Sequence, residues 1–215
     1  MKRIWITGCA RSGTTLLRRL FYAFDDVYII DHEVSAKGIS LGKCPVETEF
    51  FVGKRTKRSV FSYDLAPKIV SKQLGLLRQN DVFVINILRD GRDTIESKQN
   101  ADARRWLASF KGHLSNRESV DMPVYYEHLV TDPDAIQRLI TERLSIAAKF
   151  QFSQYPDFVP ACALAEGSRY EPRPIDDAKV NKQYDWRRLV EASLREEFEA
   201  ACMQYQEMLN ERNHS

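Results

Sequence analysis

Cysteine is scarce in this chain and poorly spaced for chemistry. Cys9, Cys44, Cys162 and Cys202 are the only four in 215 residues, and no two of them form a Cys-x-x-Cys pair. A zinc ribbon or dithiol redox centre is therefore not available from their spacing, and reduced, structural thiols are expected. The four histidines show no metal-ligand spacing either, so no metal is expected. No apolar run is long enough to cross a membrane. The first residues pass at once into a strand pattern, with no apolar segment or cleavage site before it, which reads as a cytoplasmic protein without a membrane anchor. Charge of one sign is also lacking: 32 basic and 30 acidic residues leave a net +2, which gives no general attraction to nucleic acid or lipid. Repeats and low-complexity tracts are absent. With 43 % hydrophobic and 29 % charged residues, one domain over 1–215 with a single adequate core is expected.

The stretch from Ile4 to Leu20, IWITGCARSGTTLLRRL, carries the strongest local pattern. A β-branched and aromatic run ends in a loop bracketed by Gly8 and Gly13, and a helix begins at Thr14. The Gly-x-x-x-x-Gly spacing lets successive backbone N–H groups converge on phosphate oxygens, and the helix N-terminus favours the same anion. A nucleotide triphosphatase would follow the second glycine with a lysine that reaches the β- and γ-phosphates. Here Thr14 and Thr15 follow instead, so the missing charge falls to Arg11 inside the loop.

A second strand, Val27 to Ile30, completes a βαβ unit and runs into Asp31, His32 and Glu33. Ligands of such units bind beyond the C-terminal ends of the strands, which puts this trio at the active rim. A histidine has an unperturbed pKa suited to proton abstraction near neutrality. Residues 34–63 show no clear period and include the basic run Lys54 to Arg58; this segment reads as an irregular lid on the acceptor side, its charges suited to an anionic acceptor. Leu65 to Gln79 reads as a helix. Val82 to Leu88 is an apolar strand that runs directly into Arg89-Asp90-Gly91-Arg92-Asp93, with Ser97 eight residues after Arg89. An arginine fork at a strand end and a hydroxyl on the following helix suit a phosphate monoester. Pro123 to Tyr126 is a further strand, continued by Glu127-His128-Leu129-Val130-Thr131-Asp132-Pro133. A helix from Asp132-Pro133 should bury Ile136, Leu139, Ile140 and Leu144, and a last amphipathic helix capped by Asp185 should carry Leu189, Leu194, Phe198, Cys202, Tyr205 and Leu209.

Three of these segments, Arg-Ser-Gly-Thr-Thr at 11–15, Arg89 with Ser97, and Tyr126-Glu127-x-Leu-Val, resemble the motifs of sulfotransferases that use 3′-phosphoadenosine 5′-phosphosulfate (PAPS), in style the branch that includes tyrosylprotein sulfotransferases. The resemblance spans Lys2 to Trp186. It implies an α/β, three-layer P-loop-type fold with a mainly parallel central sheet flanked by helices, and sulfuryl transfer from PAPS to a hydroxyl or amine, without a metal. It assigns Arg11, Ser12, Gly13, Thr14 and Thr15 to the 5′-phosphosulfate end, Arg89 and Ser97 to the 3′-phosphate, and Tyr126 to the nucleotide, although a buried core tyrosine fits Tyr126 as well. Lys179 or Lys182 would close over the cofactor. A gapless count from Arg11 puts the family's catalytic glutamate on His32, with Glu33 taking the role if the register slips by one. Gly91 stands where the family more often has proline. Two other readings share the same features: a P-loop kinase, which should show a loop lysine and a magnesium-binding acid, and a nucleotide-binding module without turnover.

Overall fold

The computed structural model describes residues 1–55, 67–96, 102–155, 157–159, 175 and 185–211. Five strands, β1 (Lys2–Gly8), β2 (Val27–Glu33), β3 (Phe50–Arg55), β4 (Val82–Leu88) and β5 (Met122–Tyr125), form one sheet in the order β2-β3-β1-β4-β5. All four pairings are parallel. As the central strand, β1 is covered on both faces, and Ile4, Trp5 and Ile6 are fully buried. Covering both faces is what a parallel sheet requires and why its strands read as unbroken apolar runs.

The helices are α1 (Thr14–Leu20), α2 (Ala36–Leu41), α3 (Pro67–Gln79), α4 (Gly91–Glu96), α5 (Ala103–Ser115), α6 (Tyr126–Thr131), α7 (Pro133–Leu144) and α8 (Arg195–Glu211). Ile4, Ile6, Ile85 and Ile87 pack with Leu17, Leu20, Leu129, Ile136 and Ile140, so α1, α6 and α7 cover one face. Trp5, Phe51 and Val84 pack with Ile39, Leu74 and Leu77 of α2 and α3 on the other. Leu88 and Tyr125 extend that second face to α5 and α8 through Trp106, Phe110, Phe198 and Tyr205. This is the expected three-layer α/β arrangement. Among the described residues no helix is long and apolar enough to cross a membrane.

From β1 the chain crosses to the edge strand β2, returns to insert β3 between them, and then passes to β4 and β5 on the other side. The direction of winding therefore reverses around β1, and a crevice opens above the C-terminal ends of β1 and β4, where ligands of open parallel sheets bind.

Three expectations need correction. The segment 34–63 is not an irregular lid over its described part: it holds α2, capped by the Ser35 hydroxyl accepting from the Gly38 N–H at 3.0 Å, and the buried strand β3. Only four apolar or small residues, Phe50 to Gly53, mark β3, and Gly53 reads as a breaker. Its real cause is packing, because a Cβ there would collide with Val34. Asp185 does not cap the last helix; single 3₁₀ turns at Trp186–Arg188 and Ala192–Leu194 precede α8, and Leu189 is 51 % exposed. In α7 the Asp132 carboxylate caps the Ala135 N–H at 3.0 Å as expected, but Leu139 faces outward and Gln137 takes an inward position by bonding the backbone at Phe150 and Phe152.

Candidate functional site

The loop between β1 and α1 departs from ordinary backbone at three positions: φ is 154° at Gly8, 73° at Arg11 and 96° at Gly13. Glycine accepts such angles freely, whereas an arginine held there costs about 1 kcal/mol. Ser12 stitches the loop shut: both its N–H (3.2 Å) and its hydroxyl (2.7 Å) donate to the Cys9 carbonyl. Ser12 is 1 % exposed. Gly13 is the N-cap of α1 and offers no side-chain cap. The helix's own ladder starts with the Leu17 N–H on the Gly13 carbonyl at 3.0 Å, so the amides of Thr14, Thr15 and Leu16 lie beyond its reach. Burial, reinforced by Asp102, pushes the Cys9 thiol up to about 12, which keeps it protonated and unreactive at neutral pH.

Arg89 follows β4 directly and turns back over the loop. Its Nη1 donates to the Arg11 carbonyl at 3.1 Å, and its guanidinium lies 4.3 Å from the centroid of the Tyr126 ring. A cation–π contact of this kind contributes on the order of 1 kcal/mol. Tyr126 opens α6 immediately after β5, and a Cβ at Gly13 would sit 2.5 Å from its ring. Gly13 is thus required twice, for its left-handed φ and for the close approach of Tyr126. The tyrosine is buried, as a core residue would be, and it also contacts both the glycine-bracketed loop and Arg89.

Behind Arg89, the turn is tied down by buried polar groups. The Asp90 carboxylate accepts from the Arg92 N–H, Nε and Nη2 at 2.8, 2.9 and 2.6 Å and from Gln206 Nε2 at 2.6 Å. The Asp90 N–H donates to Glu127 Oε1 at 2.9 Å, and the Tyr205 hydroxyl donates to Glu127 Oε2. Burial raises the Glu127 carboxyl above its ordinary value, opposed by these two hydrogen bonds. Gly91 lets the turn lie flat on Trp106, whose ring a Cβ would meet at 2.7 Å. Sequence reasoning passed over Glu127; a carboxylate in the first turn of a helix that directly follows a buried strand was the available signal.

At the C-terminal end of β2 the three candidate residues part company. Asp31 faces α1, where its carboxylate lies 4.0 Å from Arg18 Nη2 and accepts from the Tyr22 hydroxyl at 3.4 Å. Arg18 is buried and donates Nη1 to the Ile30 carbonyl at 3.1 Å and to the Asp31 carbonyl. Glu33 lies 3.6 Å from Lys54 Nζ, on the neighbouring end of β3. Burial lowers the Lys54 ammonium from its ordinary value, with Glu33 opposing and Arg18 and Arg19 adding to the shift. Lys54 and Glu33 are therefore on the face of the sheet that α1 covers. His32, between Asp31 and Glu33, is exposed and by strand alternation projects to the opposite face. The register of β2 against β3 shifts between Ile29 and Glu33, an irregularity that a gapless count cannot register.

Ser97 and Lys179, like Lys182, lie outside the described residues. Arg89 meets the Arg11 carbonyl and the Tyr126 ring, Tyr126 closes on Gly13, and Glu33 pairs with Lys54 at the ends of β2 and β3. Among the described residues no group of three or more His, Cys, Asp or Glu side chains is placed to hold a metal ion.

No protein-family model and no curated protein sequence matches the chain. Solved structures do match it. The sulfotransferase domain of the Synechococcus PCC 7002 olefin synthase superposes with a TM-score of 0.66 at 16% identity, covering 96% of this chain and 94% of that one. The sulfotransferase domain from the curacin biosynthetic pathway gives 0.62 at 14% identity over 95% and 97% of the two chains. The mouse sulfotransferase SULT7A1, solved in complex with PAP, gives 0.52 at 13% identity over 93% and 82%. Sequence identity this low speaks for architecture alone, and the architecture of this chain is the sulfotransferase fold.

Proposed function

We propose that the chain is a sulfotransferase that moves a sulfuryl group from PAPS to a hydroxyl or amine acceptor. The observation that carries this reading is the meeting of Arg89 with the Arg11 carbonyl across the ends of β4 and β1. It joins a phosphate loop without a lysine to an arginine fork at a second strand end, as a nucleotide with anionic groups at both its 5′ and 3′ positions requires. The residues suit such a ligand: three positive-φ positions, helix amides beyond the helix's own ladder, two arginines and an aromatic ring.

The loop from Gly8 to Thr15 would hold the 5′ end, and Arg89, with Ser97, the 3′-phosphate. When bound, the donor supplies a sulfuryl group on an activated phosphate–sulfate bond. Arg11 and the first amides of α1 stabilise negative charge that grows on the leaving phosphate oxygen. The base takes the acceptor's proton as its oxygen or nitrogen attacks in line. The positions of the side chains support Glu33 for this role over His32. Glu33 lies on the loop's face of the sheet with its carboxylate oriented by Lys54, whereas His32 projects away. Lys54 would add a half-buried positive charge beside the transferred group. The acceptor reaches this site from the β2–β3 side, where Lys54 and Arg55 would suit an anionic substrate.

The test is transfer of labelled sulfate from PAPS to a panel of hydroxyl and amine acceptors, with calorimetry of adenosine 3′,5′-bisphosphate against ATP. Turnover together with tighter binding of the bisphosphate is expected. A preference for ATP would overturn the reading in favour of a kinase, and tight bisphosphate binding with no transfer to any acceptor would reduce it to a binding module.

A further inference from the structure

The peptide unit that joins Arg89 to Asp90 is held at both of its polar atoms. Its carbonyl accepts from Trp106 Nε1 at 2.9 Å, and its N–H donates to Glu127 Oε1 at 2.9 Å. The plane of this unit sets the direction in which the Arg89 side chain leaves the turn. We propose that Glu127 is a positioning residue for recognition of the nucleotide's 3′-phosphate, acting through the Asp90 N–H to keep the Arg89 guanidinium between the Tyr126 ring and the Arg11 carbonyl. The inference rests on the nucleotide reading given above and adds a residue to it.

Glu127 is 4 % exposed. A buried carboxylate is a costly way to fill space, and an apolar side chain of similar volume would do so more cheaply. Glu127 therefore fits what it holds rather than the volume it occupies. One oxygen takes the Asp90 N–H, and the other takes the Tyr205 hydroxyl from α8. The next residue of α8, Gln206, reaches the Asp90 side chain. The C-terminal helix thus braces both the carboxylate and the turn it clamps. Tyr126 and Glu127, successive residues at the start of α6, act on Arg89 from two sides, one at the guanidinium and one at the backbone. Loss of the backbone clamp leaves the side chain free to swing, and displacement of a binding group by about 1 Å is enough to lose most of its effect.

The experiment measures the preference for adenosine 3′,5′-bisphosphate over adenosine 5′-monophosphate by calorimetry in the wild-type chain, Glu127→Met, which has no oxygen acceptor for the Asp90 N–H, Arg89→Ala and the double variant, with thermal unfolding of each. Glu127→Met should remain folded and keep its monophosphate affinity while the preference falls on the order of tenfold, and it should cause no further fall once Arg89 is alanine, as coupled residues behave. Should Glu127→Met not fold, Tyr205→Phe removes the brace and keeps the carboxylate, and a fall in the preference is again expected. A wild-type preference that survives the substitution overturns this inference alone. Equal loss for both nucleotides, or a loss that adds in full to that of Arg89→Ala, would mark Glu127 as a packing residue and overturn it too. A wild-type chain with no preference would overturn the nucleotide reading and this inference with it.

Discussion

Arg89 Nη1 donates to the carbonyl oxygen of Arg11 at 3.1 Å, across 78 residues of sequence. The bond is possible because β4 pairs directly with β1, placing Gly8 opposite Ile87 so that both segments leave the sheet side by side. A positive φ of 73° at Arg11 is part of the same geometry. The two arginines that were read from sequence as separate anion contacts are therefore parts of one surface.

Replacing Arg89 by alanine should weaken adenosine 3′,5′-bisphosphate by about 1.5–3 kcal/mol, the scale of a hydrogen bond to a charged group, while affinity for adenosine 5′-monophosphate barely changes. Calorimetry with the two ligands supplies its own control. Equal losses would show that Arg89 supports the loop and does not read the 3′ end.

Arg11→Gly and Arg11→Ala should both lower turnover on the order of 10²-fold through loss of the charge opposite the leaving oxygen. Only the glycine variant relieves the left-handed backbone, so it alone should gain about 1 kcal/mol in denaturant unfolding. Loss of activity with gain of stability would identify Arg11 as a strained functional residue. Unchanged turnover in both variants would leave it an ordinary loop cation.

The strand–loop–helix at 2–20 and β4 were legible because both carry their signal locally, in glycine spacing and in an apolar run that ends in Arg89. The parallel sheet followed from the strand–helix alternation. β3 was hidden because its burial comes from neighbours on both sides while its own sequence is short and contains Gly53. Tyr126 and Glu127 could be singled out locally, at the start of a helix that follows a buried strand, but their contacts at positions 13, 89, 90 and 205 could not. The pairing of Glu33 with Lys54 joins residues of two different strands, β2 and β3, and a count along the chain from Arg11 carries no information about it.

Stability should respond to pH through Glu127. Its carboxyl titrates at the ordinary 4.5 in the unfolded chain and higher in the folded one, chiefly because of burial. Between these two values the folded chain holds a proton that the unfolded chain has released. This contribution is full below the unfolded value and is lost as pH rises through the folded one. Urea unfolding of the wild type and Glu127→Gln at stepped pH should therefore show the wild type gaining stability relative to the variant on acidification. A difference that stays flat across that window would mean the carboxyl titrates alike in both states.

Glu33 and His32 can be separated by activity. Glu33 shares the α1 face with Lys54 and the phosphate loop, and its carboxylate lies 3.6 Å from Lys54 Nζ. Glu33→Gln keeps the shape of the side chain and removes its ability to take a proton. With a hydroxyl acceptor, turnover should fall on the order of 10²- to 10⁴-fold while bisphosphate binding stays intact. His32→Ala, on the other face, should retain most of its activity. Lys54→Met should also slow turnover, because it removes both the partner that orients Glu33 and a positive charge beside the reacting group. An inactive His32→Ala with an active Glu33→Gln would return the base to the histidine and require the end of β2 to turn over when acceptor binds. If both variants turn over normally, the proton leaves without either side chain, and Glu47 and Glu49, on the segment leading into β3, are the next carboxylates to replace.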